Sequence, residues 1–292
     1  MGFKVDNAII MAAGYASRFA PLSYECPKAL LRIKGEVLIE RQIEQLRQAG
    51  IQEVVIVVGY KKEKFTYLAE KYGVILVENL EYSTRNNHST IYAAKDYLKN
   101  TYICSSDNYF ATNPFESEVD ESYYAAVYGA GYTKEWCMDY DENDWITHVT
   151  IGGHDAWYML GHAFWSEKFS KKFVSYLNSV YELPETKDKF WEEIYMDYID
   201  ELHMKIRRYE DDIIYEFDSL DELRKFDDSY LNYSGSVIME TIAKNLNCKE
   251  GEIVDILPMK DKAGEVKGFY FYVSDRKYRY LYDCEQLEEV IV

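Results

Sequence analysis

The sequence predicts an α/β fold built on a mixed, mainly parallel sheet. Short apolar runs at residues 8–11, 53–58 and 74–77 alternate with segments whose apolar residues recur at helical spacing. Alternating strands and helices are typical of βαβ units, which place their strands side by side in a parallel sheet. After about residue 122, longer strand patterns follow one another across turns without helices between them. These patterns predict a mixed or antiparallel extension of the sheet.

The individual elements follow from apolar spacing, with glycine and proline marking their ends. We expect strands at 8–11, 53–58, 74–77, 101–105, 123–128, 145–151, 157–165, 205–209, 213–217, 253–258, 267–273 and 277–282. We expect helices from about residue 37 to Gly50, up to about residue 72, and at 89–98, 166–181, 187–200, 220–226 and 237–246.

The chain of 292 residues is acidic, with 51 acidic against 33 basic side chains and a formal net charge of −18. Nucleic acids and anionic membranes need a basic face on a protein partner, so the composition argues against both. The sequence has no apolar run of the roughly 20 residues that a membrane helix needs, and no signal-peptide pattern. Its five cysteines are far apart and odd in number, so we expect reduced thiols in a cytoplasmic protein.

The segment after the first predicted strand has the composition of a phosphate-binding loop. Ala12, Ala13 and Gly14 have almost no side chains, so the backbone can present successive N–H groups to phosphate oxygens. We expect a positive φ angle at Gly14. Arg18 and Lys28 bracket the loop, and both suit phosphate, arginine as a fork of donors and lysine as a point charge. The segment predicts a nucleoside triphosphate site, although a βα turn without a ligand can show the same glycine pattern.

Polar side chains also follow the third and fourth predicted strands, at the edge where parallel sheets bind ligands. Asn87 and Ser89 lie in an amide-rich stretch whose neutral groups can match the polar edge of a nucleobase, and helix capping is the competing role. Ser106 and Asp107 follow the fourth strand, and we expect Ser106 to contact the nucleotide. The Asp107 carboxylate suits a Mg²⁺ ion that bridges protein and phosphate. Alternatively, Asp107 is an ordinary loop residue.

The extension is rich in aromatic residues with acidic neighbours. All five tryptophans lie between residues 136 and 191, and carboxylates such as Glu192 lie close to them in sequence. Aromatic faces beside carboxylates bind quaternary ammonium groups by cation–π attraction and charge. We therefore expect a cage formed by Tyr128, Trp136, Trp191 and Glu192, although any single tryptophan is more often a core residue.

The motif Ala-Gly-x-x-x-Arg at 13–18, followed by Pro-Lys-Ala-Leu at 27–30, resembles that of nucleotidyltransferases which activate sugars and alcohol phosphates. Within that superfamily the chain is most similar to the bacterial choline-phosphate cytidylyltransferases, over about residues 7–226. The resemblance implies a Rossmann-like nucleotidyltransferase domain, CTP and phosphocholine as substrates, and Mg²⁺ as the cofactor.

The resemblance also implies roles for individual residues. Arg18 and Lys28 would offset charge on the leaving pyrophosphate, so the expected catalytic residues are Arg18, Lys28 and Asp107. Asp107 would bind the metal together with Asp218, which lies in the stretch Tyr-Glu-Phe-Asp-Ser at 215–219. The local alternative is that Asp218 or Ser219 caps the helix at 220–226.

We predict a catalytic domain over residues 1–230 and a small α+β domain over 231–292. The second piece resembles the start of a choline-kinase N-lobe at 247–258 and in a later Phe-Tyr-Phe-Tyr-Val run. It contains no kinase catalytic motif, so a packing role or a homodimer formed through this piece is favoured. All candidate site residues precede residue 231, and we expect the chemistry not to need this piece.

Two other functions fit parts of the pattern. A sugar-1-phosphate nucleotidyltransferase that uses UTP, dTTP or GTP would share the fold, but its pocket would need hydroxyl partners rather than aromatic faces. A non-catalytic nucleotide-sensing protein would share the loop, yet every loop residue expected for chemistry is present here. The sequence leaves open whether the acceptor carries choline or ethanolamine.

Overall fold

The computed structural model describes residues 2–261 and 264–290, which form two compact units. The first unit comprises Met1–Gly14 and Leu38–Glu216, and the second comprises Tyr15–Val37 and Phe217–Val292. The segment that carries Arg18 therefore belongs to the same unit as the C-terminal part of the chain. The units are interleaved along the sequence, and independent folding of residues 1–230 stays a prediction.

The first unit is built on a seven-stranded sheet. In chain order its strands are β1 (Asn7–Ala12), β2 (Glu53–Val58), β3 (Ile75–Glu78), β4 (Thr101–Ser105), β5 (Tyr123–Tyr140), β6 (Ile146–Trp165) and β7 (Lys205–Arg208). Their spatial order is β7-β5-β6-β4-β1-β2-β3. Strand β6 runs antiparallel to both neighbours, and the other neighbouring pairs are parallel. The prediction of a mixed, mainly parallel sheet is confirmed.

Helices and short strand pairs complete the first unit. The helices are α1 (Leu38–Gln48), α2 (Thr66–Tyr72), α3 (His88–Ala93), α4 (Glu167–Val180) and α5 (Trp191–Asp197), with 3₁₀ turns at Lys62–Phe65, Lys95–Tyr97 and Pro184–Thr186. Phe3–Lys4 pairs with Glu118–Val119, and Asn108–Phe110 pairs with Ile214–Glu216. Ile9, Ile10, Val55 and Val57 in the inner strands are fully buried, as expected where helices cover both faces of a sheet.

The clearest difference from the predicted elements lies in the extension. The sequence predicts separate strands at 123–128, 145–151 and 157–165, but the structure contains two strands of 18 and 20 residues. Their pairing shifts register around Gly129 and Thr133, and Gly131 and Gly152 have φ angles of 75° and 82°. Such bulges bend a ribbon without ending it, and in the sequence they look like turns.

The second unit contains two α-helices longer than one turn and a four-stranded antiparallel sheet. The helices are α6 (Leu220–Phe226) and α7 (Val237–Leu246), and the strands are β8 (Ile253–Lys260), β9 (Val266–Val273), β10 (Arg276–Leu281) and β11 (Gln286–Glu289), paired in sequential order. The sequence analysis does not predict β11, because most of its residues are polar. Within the described part of the chain, no helix has both the length and the apolar character needed to cross a membrane.

The segment 15–37 forms short elements of the second unit. They are the 3₁₀ turns Ser17–Phe19 and Lys28–Leu30, the one-turn α-helix Leu22–Glu25, and the paired strands Arg32–Ile33 and Glu36–Val37. Further 3₁₀ turns lie at Asp228–Leu231 and Glu250–Glu252. The predicted phosphate-binding segment is thus a chain of small turns rather than part of a long helix.

A buried arginine joins helix α6 to the C-terminal sheet. Arg224 is 5% exposed. Its guanidinium donates hydrogen bonds to the carbonyls of Glu250 and Ile253, both at 2.6 Å, and to the Asp221 carboxylate at 2.9 Å. A buried charge is tolerated when its donors are satisfied in this way. Helix α6 and the start of β8 therefore form one hydrogen-bonded structure.

Replacing Arg224 with alanine should destabilise the second unit. The change leaves buried carbonyls without a donor, and removing one partner of a buried charged group costs about 3 kcal/mol or more. We expect the midpoint of thermal unfolding to fall by about 6 °C or more. Arg276→Ala is the matched control, since that side chain is 69% exposed, and its midpoint should move by less than about 2 °C. Equal midpoints for wild type and Arg224→Ala would contradict this role.

Candidate functional site

The turns after β1 and β4 lie side by side at the carboxyl edge of the sheet. The two strands are parallel, with Met11 opposite the last residue of β4. The N–H of Ser106 donates to the carbonyl of Met11 at 3.2 Å. Ala12 and Ala13 are buried, while Ser106 and Asp107 are half-buried. The start of the predicted phosphate loop and the predicted metal ligand are therefore neighbours.

Helix α1 holds the turn that carries Asp107. Gln42 is buried, and its side-chain amide donates to the carbonyls of Ser105 and Asn108 at 2.9 and 2.8 Å. Two hydrogen bonds from one buried side chain restrain both ends of the turn. Gln42 is not among the predicted site residues, and its signal in the sequence was a glutamine among the apolar positions on the buried face of a helix.

The backbone of the predicted phosphate loop differs from the expectation at Gly14. The expected positive φ angle at Gly14 is wrong, because the left-handed residue in this stretch is Ala16, with a φ of 47°. A Cβ atom at Gly14 would meet nothing within 4 Å. Glycine therefore leaves open space beside the backbone at this position, which is what close approach of a ligand requires.

The amide-rich loop after β3 is held together by its own side chains. Asn79 donates from its amide to the hydroxyls of Ser89 and Thr90 at 2.8 and 3.2 Å. The Ser89 hydroxyl donates in turn to the carbonyl of Asn86 at 2.8 Å. Because Ser89 is 1% exposed, its side chain builds the loop and is not accessible to a nucleotide in this conformation.

The same loop is fastened to the chain that enters helix α5. The carbonyl of Lys189 accepts a hydrogen bond from Nδ1 of His88 at 2.6 Å. The Asn87 side chain accepts from the N–H of Trp191 at 2.7 Å and donates to Oε2 of Glu192 at 3.2 Å. Both polar atoms of the Asn87 amide are thus engaged with the segment for which we predict acceptor binding, rather than aimed at a base.

Glu192 is a carboxylate restrained by two donors. One oxygen accepts from Asn87, and the other accepts from the hydroxyl of Tyr124 at 3.2 Å. Burial raises the pKa of Glu192 to about 7, because the charged form loses hydration, while the two hydrogen bonds favour that form. Glu192 therefore titrates near neutral pH and carries a negative charge above it.

Three carboxylates act on the hydroxyl of Tyr124. Burial raises the pKa of Tyr124, and the negative charges of Glu192, Glu216 and Asp107 raise it further. Glu216 lies on a short strand that pairs with the strand after the Asp107 turn. The structure therefore brings Asp107 and Glu192 into one electrostatic environment and adds Glu216. Glu216 is not among the predicted site residues, and its signal in the sequence was its place two residues before Asp218.

Trp191 occupies a core position rather than an accessible cage wall. Its side chain is 1% exposed. The ring stacks on Tyr124 with centroids 5.6 Å apart and meets Trp165 edge-to-face at 5.0 Å. The Tyr124 ring therefore covers a face that a choline group would need. Sequence composition does not separate the two roles, because an aromatic core and an aromatic cage use the same residue types.

Accessible ring surface lies instead at Trp136 and Phe190. Trp136 is half-buried and meets Phe190 edge-to-face, with centroids 5.6 Å apart. Phe190 is 42% exposed and precedes Glu192 by two residues at the start of α5. Phe190 is not among the predicted site residues. Tyr128 is 41% exposed and contacts a different ring, that of Trp157, at 5.4 Å.

In the second unit, Arg18 and Asp218 form an ion pair. Nη1 of Arg18 lies 2.6 Å from Oδ2 of Asp218, and 70% of the arginine side chain is exposed. Ser219 caps helix α6 through its side chain, so capping does not use the Asp218 carboxylate. Lys28 is buried, with Nζ 5.4 Å from the centre of the Phe19 ring.

The carboxylates of Asp107 and Asp218 are suitable ligands for a hard cation, but the described residues do not form a complete metal site. Among residues 2–261 and 264–290, no three acidic, histidine or cysteine side chains are grouped closely enough to hold a metal ion. Carboxylate oxygens such as those of Asp107 and Asp218 are the ligands that Mg²⁺ prefers. The partner of Asp218 is an exposed arginine, and exposed ion pairs are weak. Each of these carboxylates, taken singly, therefore has the chemistry of a ligand for a divalent ion.

Comparison with known proteins identifies the family to which this chain belongs. Residues 8–115 match the family model of the MobA-like NTP transferase domain. The 2-aminoethylphosphonate cytidylyltransferase of Lancefieldella rimae is 38% identical over 229 residues, which are 77% of this chain and 93% of that protein.

The choline-phosphate cytidylyltransferase of Streptococcus pneumoniae is 36% identical over 226 residues, which are 77% of this chain and 99% of that protein. A solved structure of the CTP:phosphocholine cytidylyltransferase from the same species superposes with a TM-score of 0.74 at 36% identity, covering 78% of this chain and 99% of that one. The chain therefore belongs to the choline-phosphate cytidylyltransferase family of nucleotidyltransferases.

Proposed function

We propose that this protein transfers the cytidylyl group of CTP to phosphocholine, giving CDP-choline and pyrophosphate. A phosphate oxygen of phosphocholine attacks the α-phosphorus of CTP. The bond from that phosphorus to the bridging oxygen breaks, and the electron pair leaves with pyrophosphate. A phosphate monoester with a second pKa of about 6 is largely ionised at neutral pH, so no protein nucleophile is required. Catalysis then consists of positioning and charge neutralisation.

The choice of acceptor rests on one observation. Accessible aromatic rings lie close in the chain to a carboxylate that two hydrogen bonds hold in place. Trp136 and Phe190 present the ring surface, and Glu192 follows Phe190 by two residues. A trimethylammonium group has no N–H to donate and is bound by ring faces and negative charge. Trp191 supports this site from the core, and Tyr128 stays a predicted contact.

For the donor, we propose that the backbone at residues 12–14 and the side chains of Arg18 and Lys28 bind the triphosphate. The two cations offset charge that develops on pyrophosphate as it leaves. A protein with a net charge of −18 repels a polyanion at long range, so the binding cations must act locally. Ser106, on the turn beside Ala12, stays a predicted contact with the nucleotide.

We propose Mg²⁺ as the cofactor, with Asp107 and Asp218 as protein ligands. When bound, the ion offsets negative charge on the α-phosphate and so favours attack. Gln42 restrains the turn that carries Asp107, which keeps this carboxylate at the edge of the sheet next to the predicted phosphate loop. Asp218 is paired with the exposed Arg18, and because exposed ion pairs are weak, the ion can replace this partner.

A second candidate acceptor is 2-aminoethylphosphonate, because a relative named for that substrate is 38% identical to this chain. Its primary ammonium is strongly hydrated and costs more to transfer from water to a ring face than trimethylammonium does. The accessible rings of Trp136 and Phe190 favour the less hydrated cation. Sugar 1-phosphates lack a cation for Glu192 to bind.

We also propose a cytoplasmic location. All five cysteines are free, as expected in a reducing compartment. The predicted homodimer through residues 231–292 is a separate proposal, and sedimentation of the purified protein at several concentrations tests it. A mass equal to one chain at all concentrations would rule out that dimer.

The decisive test is pyrophosphate release against a matrix of triphosphates and acceptors. We expect activity with CTP and phosphocholine in the presence of Mg²⁺, and little with UTP, dTTP or GTP. Phosphoethanolamine and 2-aminoethylphosphonate should be used at least about tenfold less efficiently, because each cage contact with trimethylammonium contributes on the order of 1 kcal/mol. Preference for a sugar 1-phosphate, or no turnover with any pair, would reject the proposal.

Lys28→Ala should weaken the use of CTP. The substitution removes a charge-assisted contact with phosphate, which is worth about 1.5 to 3 kcal/mol, or about one to two decades in kcat/KM. Arg18→Ala should act in the same direction. Lys225→Ala is the control, because it removes an exposed lysine of helix α6 and should leave CTP kinetics unchanged. If Lys28→Ala and Lys225→Ala behave alike, Lys28 is not a phosphate ligand.

Asp107→Asn should lower kcat/KM at least about a hundredfold, or roughly 3 kcal/mol, because a neutral amide is a weak ligand for the cation. The variant should also need more Mg²⁺ for half-maximal activity. Asp139→Asn changes an exposed aspartate of β5 in the same way and should leave both quantities unchanged. A normal Mg²⁺ dependence in Asp107→Asn would remove this residue from the metal role.

Glu192→Gln should raise the KM for phosphocholine about tenfold and leave the KM for CTP unchanged, because it removes the charge that faces the cation. In the wild type this KM should rise as pH falls from 8 to 6, since the carboxyl, with a pKa of about 7, becomes neutral. The variant should lack that rise, apart from titration of the substrate phosphate. Glu185→Gln, which changes an exposed glutamate outside the proposed site, is the control and should leave this pH profile unchanged. An identical pH profile in Glu192→Gln and wild type would contradict the role of Glu192.

A further inference from the structure

We propose that the C-terminal part of the second unit holds the segment 15–37 in its nucleotide-binding conformation. Tyr282 and the start of helix α7 are then positioning elements for CTP rather than parts of an appendix. This inference rests on the proposed binding of phosphate by Arg18 and Lys28. It changes the expectation that the chemistry does not need residues 231–292.

The first contact is a stacked pair of tyrosine rings. Tyr24 lies in the one-turn helix that precedes Lys28, and Tyr282 follows strand β10. Their ring centroids are 3.7 Å apart, with an angle of 9° between the ring planes. Tyr282 is 6% exposed, whereas Tyr24 is 41% exposed. The buried Tyr282 ring therefore provides a flat surface for the exposed Tyr24 ring, which lies four residues before Lys28.

The second contact is a carboxylate at the start of a helix. Oε1 of Glu25 accepts hydrogen bonds from the N–H groups of Val237 and Ile238 at 2.9 and 3.3 Å. These are the first two residues of α7, whose N–H groups have no partner within the helix. The positive end of the helix dipole also favours a carboxylate at this place. Glu25 thus ties the segment to α7 three residues before Lys28.

The far end of the segment is fastened by residues that follow helix α6. The Asp227 carboxylate accepts from the N–H of Lys34 at 2.6 Å, and the Tyr230 hydroxyl donates to the carbonyl of Arg32 at 2.8 Å. Burial raises the pKa of Tyr230, so its hydroxyl remains a donor at neutral pH. Lys28 therefore lies between two anchored points of the chain.

These contacts have a definite thermodynamic consequence. A segment of short turns has few hydrogen bonds of its own to fix its backbone, so its conformation depends on such anchors. If the binding-competent conformation is populated only in part, the apparent affinity for a ligand falls by that fraction. Loss of an anchor should therefore raise the KM for CTP and leave the KM for phosphocholine unchanged.

The chain offers a matched pair of variants for the test. Tyr282 and Tyr278 are both buried, at 6% and 8% exposure, and both belong to the C-terminal sheet region. Tyr278 stacks on Phe271 within the sheet, whereas Tyr282 stacks on Tyr24. Both alanine variants should lower the midpoint of thermal unfolding. Tyr282→Ala should also raise the KM for CTP about threefold to tenfold, and Tyr278→Ala should leave it within about twofold.

Conservative variants at the same two positions should keep the KM for CTP close to the wild-type value. Tyr282→Phe keeps the ring and should restore the KM for CTP. Glu25→Gln keeps an oxygen that can accept from α7 and should behave close to wild type, whereas Glu25→Ala should raise the KM for CTP. This second pair decides the question if Tyr282→Ala does not fold. Equal effects of Tyr282→Ala and Tyr278→Ala on the KM for CTP, with no difference between Glu25→Ala and Glu25→Gln, would overturn the proposal.

Lys28→Ala, measured in parallel, separates this inference from the proposed function. If Lys28→Ala leaves CTP kinetics unchanged, the phosphate assignment fails, and the anchors have no CTP site to position. If Lys28→Ala raises the KM for CTP but neither Tyr282→Ala nor Glu25→Ala does, the anchors alone are rejected and the phosphate assignment stands.

Discussion

The parallel pairing of β1 with β4 is the constraint on which the first unit's part of the site depends. Because both strands run in the same direction, their following turns emerge at the same edge of the sheet. The small residues after β1 and the turn with Asp107 therefore become neighbours. Gln42 from α1 then restrains the Asp107 turn through backbone carbonyls. The position of Asp107 is thus set by strand direction first and by one buried amide second.

Charge explains how an acidic protein can serve two charged substrates. Glu192, Glu216 and Asp107 all raise the pKa of Tyr124, so one region of the first unit concentrates negative charge. Such a region is costly unless cations are bound there, and the proposed reaction brings a metal ion and a quaternary ammonium group. The phosphates need the opposite charge, and the proposed source of that charge is Arg18 and Lys28 in the segment 15–37. The proposed sites thus assign the anionic donor to cationic side chains and the cationic acceptor to carboxylates.

In the loop after β3, hydrogen bonding decides which of two functions the amide side chains have, reading a base or building the loop. Its amides have the donors and acceptors to read a base, and their density in the sequence suggested this role. In the folded chain, Asn79 is used to bind Ser89 and Thr90, and Asn87 is used to bind the start of α5. Buried polar groups must be satisfied within the protein, so these amides build the loop and support Glu192.

The sequence by itself determined the fold class, the family and the chemical types present in the site. Strand and helix periodicity depends on local spacing, and the loop motif depends on residues close in the chain, so both can be read directly. Tertiary structure decided which aromatic residues are accessible, because burial of Trp191 and exposure of Phe190 depend on contacts with distant residues such as Tyr124. It also decided that segment 15–37 belongs to the same unit as the C-terminal sheet. That association depends on contacts between residues more than 200 positions apart, such as Glu25 with Val237, and no local pattern encodes them.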